Sequence, residues 1–322
     1  MMKKIGLLTS GGDAPGMNCA IRSVVRTSLG MGIDVCGIKR GFRGLYENDI
    51  MPLNARSVSG IINRGGTILR TIRFPEFKQM DVQEVCFRNL KDAGIDGLVV
   101  IGGDGSSRGA HAFHNNFNIP VGFIPASIDN DVYGTDYTVG FDTAVNTALD
   151  AIDKIRDTAT SHERIFVVEV MGREHGFLAL EVAIAAGAEV VVLPEKPITI
   201  QQIINVLETD RVRGKISSLI VVAEGAGKAH ILANEINKEM PGAEARYCVL
   251  GYIQRGGIPT YQTRCLATMF GSEVVRGFLE GEKCFMTGIS GKKIIRVPLE
   301  KVISSKIEIS EEKIKLVDAM AI

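Results

Sequence analysis

The feature that most constrains this chain is an alternation. Short runs of β-branched and aliphatic residues are each closed by a glycine-containing turn or followed by helical sequence. The runs are Lys4–Thr9, Gly97–Ile101, Val121–Ile124, Ile165–Val170, Val190–Leu193, Leu219–Ala223 and Tyr247–Leu250. Strands that are apolar almost throughout have to be buried on both faces, and the helical stretches between them supply the cover. The pattern therefore predicts parallel sheets in an α/β fold, with functional residues at the carboxyl ends of the strands. With 322 residues, 45% of them hydrophobic, the chain can fill one large or two modest cores. No segment reads as a linker, a low-complexity tract or a solenoid repeat. A break between lobes is expected near Gly140, because the glycine-rich turns cluster before it.

Charge removes some partners. The 37 basic and 37 acidic residues cancel, so the electrostatic footprint of a nucleic-acid binder is missing, while local arginine clusters leave an anionic small molecule open. No apolar run reaches the roughly 20 residues of a membrane span. Gly11-Gly12-Asp13 follows too soon after Met1 for a signal-peptide core, so a cytoplasmic protein is expected. The six cysteines (19, 36, 86, 248, 265, 284) are scattered singly, without metal spacing, as buried free thiols of a reducing compartment would be.

Three turns carry candidate chemistry. The first, Thr9-Ser10-Gly11-Gly12-Asp13-Ala14-Pro15-Gly16-Met17-Asn18, lies between the first strand and a helix over Cys19–Leu29. Paired glycines let backbone N–H groups approach an anion and the helix N-terminus adds favourable potential; a tight βα turn would use the same residues. The second, Gly102-Gly103-Asp104-Gly105-Ser106-Ser107, sets an acid among backbone donors. Asp104 there suits either a Mg²⁺ bridging protein and phosphates or the N-cap of a helix. The third, Pro125-Ala126-Ser127-Ile128-Asp129-Asn130-Asp131, offers two carboxylates and a hydroxyl, as a general base needs and as ordinary turn formers also do. Arg73, Arg173 and Arg255 stand beside such turns or after strands. A single arginine is usually a solvated charge, but several guanidinium forks beside glycine-rich turns favour phosphoryl transfer.

Together these residues closely resemble the bacterial ATP-dependent 6-phosphofructokinase family. LTSGGDAPGMN, GGTIL, RFPEF, VVIGGDGS, SIDND, GFDTAVNTALDAIDKIRDTATSHER, EVMGR, VVAEG and VLGYIQRGG occur in the family's order over nearly the whole chain. The resemblance implies a homotetramer of two-lobed, three-layer α/β subunits built on parallel sheets. Residues 1–140 and 254–304 would form a larger ATP-binding lobe, and 141–253 with 305–322 a smaller sugar-phosphate-binding lobe. It also implies ATP contacts at Gly12, Arg73, Phe74, Gly103, Asp104, Gly105 and Ser106, with Asp104 on Mg²⁺. Fructose 6-phosphate would meet Ser127, Ile128, Asp129, Met171, Gly172, Arg173, Glu224, Tyr252, Ile253, Gln254 and Arg255. Arg164 and Arg246 would reach the sugar phosphate from a neighbouring subunit. An effector site for ADP or phosphoenolpyruvate would use Arg22, Ser23, Val24, Val25, Arg26, Arg156, Gly187, Ala188, Glu189, Arg213 and Lys215. In the implied reaction Asp129 takes the proton of the attacking sugar 1-hydroxyl, Arg73 and Arg173 neutralise the transferred group, and Gly12 and Ser127 complete the catalytic set.

Four positions depart from the family's pattern: Ala126-Ser127 in place of Gly-Thr, Tyr252 in place of a histidine, Phe177 in place of an aspartate, and Gly60 in place of a polar effector-site residue. Two other readings compete. Pyrophosphate-dependent relatives carry Asp where this chain has Gly105 and Lys where it has Ala126. A non-catalytic nucleotide sensor would have lost Asp104, Asp129 or Arg173, all of which are present.

Overall fold

The computed structural model describes residues 2–320. Its strands are β1 (Lys4–Ser10), β2 (Asp34–Ile38), β3 (Ile50–Leu53), β4 (Gly97–Gly102), β5 (Val121–Ser127) and β6 (Val139–Gly140), followed by β7 (Ile165–Val170), β8 (Val190–Val192), β9 (Ser218–Ala223), β10 (Ala245–Val249), β11 (Cys284–Ser290) and β12 (Lys293–Pro298). The helices are α1 (Met17–Gly30), α2 (Gly41–Tyr46), α3 (Met80–Asp92), α4 (Asp104–Phe117), α5 (Phe141–Ser161) and α6 (Phe177–Ala186). They continue as α7 (Ile200–Val212), α8 (Ala229–Glu239), α9 (Tyr261–Leu279), α10 (Leu299–Ser304) and α11 (Glu311–Met320). Among the described residues no helix is long and apolar enough to cross a membrane.

The chain divides into two compact units. One runs up to Thr143 and resumes over Arg255–Ile307; the other comprises Ala144–Gln254 and the segment from Glu308 onward. The first division falls inside α5, and the second inside a 3₁₀ turn, Gly251–Arg255.

In the first unit the sheet order is β12-β11-β5-β4-β1-β2-β3, with β6 beside β5. β4 and β5 are buried at every residue, as the apolar runs predict. All pairings are parallel except those of the edge strands β3 and β12. The apolar-run criterion does not find β2, β3, β11 or β12. β3 carries Pro52, which an edge strand tolerates because one side of its backbone needs no ladder donor. β11 and β12 form a hairpin closed at Ser290↔Lys293, and several residues of β12 are half-exposed, so neither strand reads as a continuous apolar run. Phe77, Phe113, Phe123, Leu90 and Leu98 belong to one core cluster on this sheet.

In the second unit β10-β7-β9-β8 is wholly parallel. Its core gathers Val167, Ile203, Leu207, Ile220, Val222 and Ile236. All six cysteines are free, but only Cys19 and Cys86 are buried; the other four are half-buried, against the expectation for all six. Burial pushes the Cys86 thiol up to about 12 and that of Cys19 up to about 11, so these two carry little thiolate near neutral pH.

Candidate functional site

In the first unit, three neighbouring parallel strands deliver the three candidate turns side by side. Ser10 at the end of β1 pairs in register with Gly102 at the end of β4, and Gly102 pairs with Pro125 of β5. The turns touch. A Cβ on Gly11 would lie 3.1 Å from Ser106 Oγ, and one on Gly103 would lie 3.6 Å from the Ser127 side chain. Gly12, Gly103, Asp104, Ser106, Ser127 and Asp129 are thus brought to one edge of the sheet, as expected for residues at strand carboxyl ends.

The segment leading to Arg73 is tied to that edge by hydroxyls. Thr9 Oγ1 donates to the Arg70 carbonyl at 2.8 Å and Thr71 Oγ1 to the Gly11 carbonyl at 2.7 Å. Buried Asn18 holds the stretch before it, donating to the carbonyls of Arg64 and Gly65 and accepting from Ile68 N–H. Beyond Arg73, Phe77 stacks on Phe42 with centroids 3.9 Å apart, an aromatic contact worth about 0.5–1.5 kcal/mol beyond its buried area. Exposed Arg73 and half-buried Phe74 stand between these two anchors.

Arg255 belongs to this unit as well. Its Nη1 donates to the Asp13 carbonyl at 3.1 Å, and a Cβ on Gly12 would lie 2.2 Å from that nitrogen. The guanidinium thus covers the first turn, and a side chain at position 12 would have to push it aside. This joins a residue expected at the sugar to one expected at the nucleotide.

Asp129 is 2% exposed. Its N–H donates to Ser127 Oγ at 3.1 Å, while that hydroxyl donates to Asp131 Oδ1 at 3.2 Å. Asn130 takes a left-handed conformation, φ 53°, and its Oδ1 accepts from Thr138 N–H; Thr138 Oγ1 donates to the Ser127 carbonyl at 2.6 Å. Asparagine tolerates that conformation better than most residues. The SIDND turn is thus a closed hydrogen-bonded loop centred on the Ser127 hydroxyl and carbonyl. Ile128 is fully buried and anchors the turn. Asp104 is the first residue of α4, with Gly103 as its cap, so the N-cap alternative is not realised. Its two oxygens accept from Arg108, Nε to Oδ2 at 3.0 Å and Nη2 to Oδ1 at 3.2 Å. Nothing lies within 4 Å of a Cβ built on Gly105, and Ala126 is fully buried.

In the second unit Met171-Gly172-Arg173 leaves β7 beside Glu224, which follows the neighbouring strand β9. Arg173 sits at φ 53°, and its N–H donates to Glu224 Oε1 at 2.7 Å. A Cβ on Gly225 would lie 2.1 Å from the Arg173 carbonyl oxygen, so only glycine admits this turn. Buried Gln254 accepts from Met171 N–H at 2.9 Å. Tyr252 is 82% exposed, and Ile253 is exposed beside it. Phe177 opens α6 and stacks on His175, with centroids 5.4 Å apart.

Arg164 immediately precedes β7. Arg246 is the second residue of β10 rather than the residue before it, as the sequence suggests. Both arginines meet Glu244: Arg164 Nε at 2.7 Å and Arg246 Nη2 at 3.5 Å. The Arg164 hydrogen bond, helped by its charge, holds the Glu244 carboxyl below the usual carboxylate range.

The residues expected around an effector fall into two groups. Arg22 and Arg26 lie on α1, but Val24 and Val25 are fully buried, and Ser23 Oγ donates to the Thr268 carbonyl at 2.6 Å. The side chains of Ser23, Val24 and Val25 are therefore packing groups here. In the second unit Arg156 donates to the Ala186 and Gly187 carbonyls. Lys215 Nζ lies 2.9 Å from Glu189 and 3.6 Å from Asp210, both buried. Ala188, before Glu189, is buried, while Gly187 and Arg213 are exposed. Gly60 has φ 67° with open space at its Cβ.

Sequence reasoning missed Arg108, Glu244, Asp210 and Gly225. Arg108 stands four residues after Asp104 on a helix, a spacing that signals a pair. The others meet their partners only through the fold.

The parallel sheets, the glycine-built turns at one strand edge and the arginines near them define a phosphate-handling α/β protein. A family model described as phosphofructokinase matches residues 4–278, and the chain belongs to the phosphofructokinase family. A Thermotoga neapolitana protein named ATP-dependent 6-phosphofructokinase is 49% identical over 305 residues, 95% of either chain. The phosphofructokinase structure from Saccharomyces cerevisiae superposes with a TM-score of 0.89 at 35% identity, over 94% of this chain and 45% of the yeast chain. A pyrophosphate-dependent phosphofructokinase from Marinobacter aquaeolei has a TM-score of 0.85 at 20% identity, covering 99% of this chain and 92% of its own, and shares the fold.

Proposed function

We propose that this chain is an ATP-dependent 6-phosphofructokinase, transferring the ATP γ-phosphoryl group to the 1-hydroxyl of fructose 6-phosphate to give fructose 1,6-bisphosphate and ADP. The observation that carries the reading is the emergence of the three turns from adjacent parallel strands β1, β4 and β5, in a chain 49% identical to a relative named for this reaction. Buried Asp129 accepts the proton of the attacking hydroxyl. Backbone N–H groups at Gly12 and Gly103–Ser106, with Arg73, hold the nucleotide phosphates, and Arg173 offsets charge on the transferred group. Arg164 and Arg246 bind the sugar 6-phosphate of a neighbouring subunit in a homotetramer, with Glu224 and Tyr252–Arg255 completing the sugar site.

Asp104 fits Mg²⁺. It is one carboxylate at the start of α4, following Gly103 and paired with Arg108. That donor set suits a cation held mainly by phosphate oxygens and water. When bound, it would neutralise charge on the phosphates. A cytoplasmic, glycolytic enzyme tuned by ADP and phosphoenolpyruvate at Arg22, Arg26, Arg156, Glu189, Arg213 and Lys215 completes the reading.

Gly105 and Ala126 favour ATP over pyrophosphate, because neither brings a carboxylate or an ammonium to the donor. A coupled assay offering the two donors separately tests this. Bisphosphate formation with ATP alone is expected; formation with pyrophosphate alone, or with neither donor, overturns the reading.

A further inference from the structure

We propose that Arg108 is a positioning residue for the metal-binding carboxylate, and that it keeps Asp104 from taking up a divalent cation until phosphates arrive with it; this rests on Asp104 being the metal ligand. The guanidinium is held at three points. Nε and Nη2 reach the two oxygens of Asp104 at 3.0 and 3.2 Å, and Nη1 donates to the Ile303 carbonyl in α10 at 3.0 Å. Fork-to-carboxylate pairing fixes both partners in orientation, which a single ammonium contact does not. The anchor on α10 matters because an i,i+4 pair with 55% and 34% exposed side chains would otherwise be weak and loosely held.

Two consequences follow from charge and geometry. Asp104 is aimed by Arg108 along the start of α4, so its direction at the strand edge is set before any ligand comes. Its charge is also already matched by one cation, and both oxygens are engaged. A free divalent ion must therefore sit beside a positive charge, with one already paired carboxylate to hold it. A cation that arrives on nucleotide phosphates brings its own negative charge and needs one oxygen from Asp104. Arg108 thus favours uptake of the metal–nucleotide complex over uptake of metal alone.

The test measures Mn²⁺ affinity by electron paramagnetic resonance on the full-length protein, with and without a non-hydrolysable ATP analogue. Removing a unit charge close to a divalent site changes its affinity by about ten-fold. Arg108→Met, which keeps the aliphatic stem, is expected to tighten free Mn²⁺ by that factor and to change Mn²⁺ binding in the analogue complex less. Arg108→Lys, a charge without a fork, should fall between. A thermal melt monitors the contact to Ile303; a purely structural arginine would lower the melting temperature and leave Mn²⁺ affinity where it was. Unchanged free Mn²⁺ affinity in Arg108→Met overturns the proposal. Asp104→Asn should loosen Mn²⁺ from the analogue complex; if it does not, Asp104 is not the metal ligand and the proposal fails with that reading.

Discussion

The two units prepare for an anion in opposite ways. In the first, the strand edge is built from backbone: turns at Gly11–Gly12 and Gly103–Ser106 touch one another, and the side chains nearby mostly serve to hold loops in place. In the second, four of the cations expected to meet phosphate are already engaged. Arg164 and Arg246 share Glu244, Lys215 lies against Glu189 and Asp210, and Arg156 is on carbonyls. A backbone site offers its donors without rearrangement, whereas a paired site has to exchange one anion for another. The first arrangement suits rigid catalysis, since preorganised dipoles need not move as charge develops. The second suits ligands whose binding is meant to shift an equilibrium.

The largest effect should come from the rigid edge. Asp129→Ser is expected to lower kcat by about 10²–10⁴ with little change in KM, because Ser127, Asn130 and Thr138 hold the SIDND turn together through their own hydrogen bonds. Steady-state kinetics checks it. A variant keeping more than half its activity would take Asp129 out of the base role and weaken the contrast between the units.

Next comes the paired region. Arg164→Ala should raise the KM for sugar phosphate by about 10–100-fold, the loss of one charge-assisted hydrogen bond, with kcat nearly kept. Mixing it with Asp129→Ser and reassembling the oligomers should recover activity if Arg164 serves a neighbour's site. No recovery would confine each site to one chain.

A smaller change sharpens the comparison at the backbone edge. Gly105→Asp meets no atom within 4 Å of the new Cβ, so the melting temperature should hold. KM for ATP should still rise by about ten-fold, from a carboxylate facing phosphates. An unchanged KM would remove the electrostatic argument that Gly105 favours ATP over pyrophosphate.

How much of this was legible in the sequence follows from the same contrast. Strands β1, β4 and β5 are readable from their apolar runs, and the turns after β1 and β4 from their glycine pairs, although an ordinary tight turn would use the same residues. The edge strands β3 and β12 are not, since Pro52 and the half-exposed residues of β12, Arg296 among them, break the apolar run. Side-chain pairing was hidden further. Glu244 meets Arg164 across a strand pairing eighty residues apart, and no local spacing encodes that. The effector run Arg22–Arg26 shows the reverse: resemblance names five residues in a row, while on α1 the side chains of the middle three are buried.

The smallest expected effect tests whether pairing in the second unit tunes affinity. Asp210 is 2% exposed, and among the described residues its Oδ2 receives no hydrogen bond; its nearby cation is Lys215 at 3.6 Å. A buried carboxylate in that position is costly unless a charge balances it, so Lys215 balances Asp210 and Glu189 together. A phosphate approaching Lys215 then competes with two carboxylates already within ion-pair reach. Asp210→Asn keeps the shape and removes one competitor, while Glu189 still orients the lysine through its 2.9 Å contact. Binding of ADP, measured by calorimetry, should tighten by about three- to ten-fold, and the concentration that shifts the sugar-phosphate saturation curve should fall in step. Equal affinity in the two proteins would make Asp210 a packing residue and leave the pairing without a regulatory role. If neither ADP nor phosphoenolpyruvate binds either protein, the effector site is inert. Gly60, with φ 67° and open space where a polar side chain would reach, is then the first position to change.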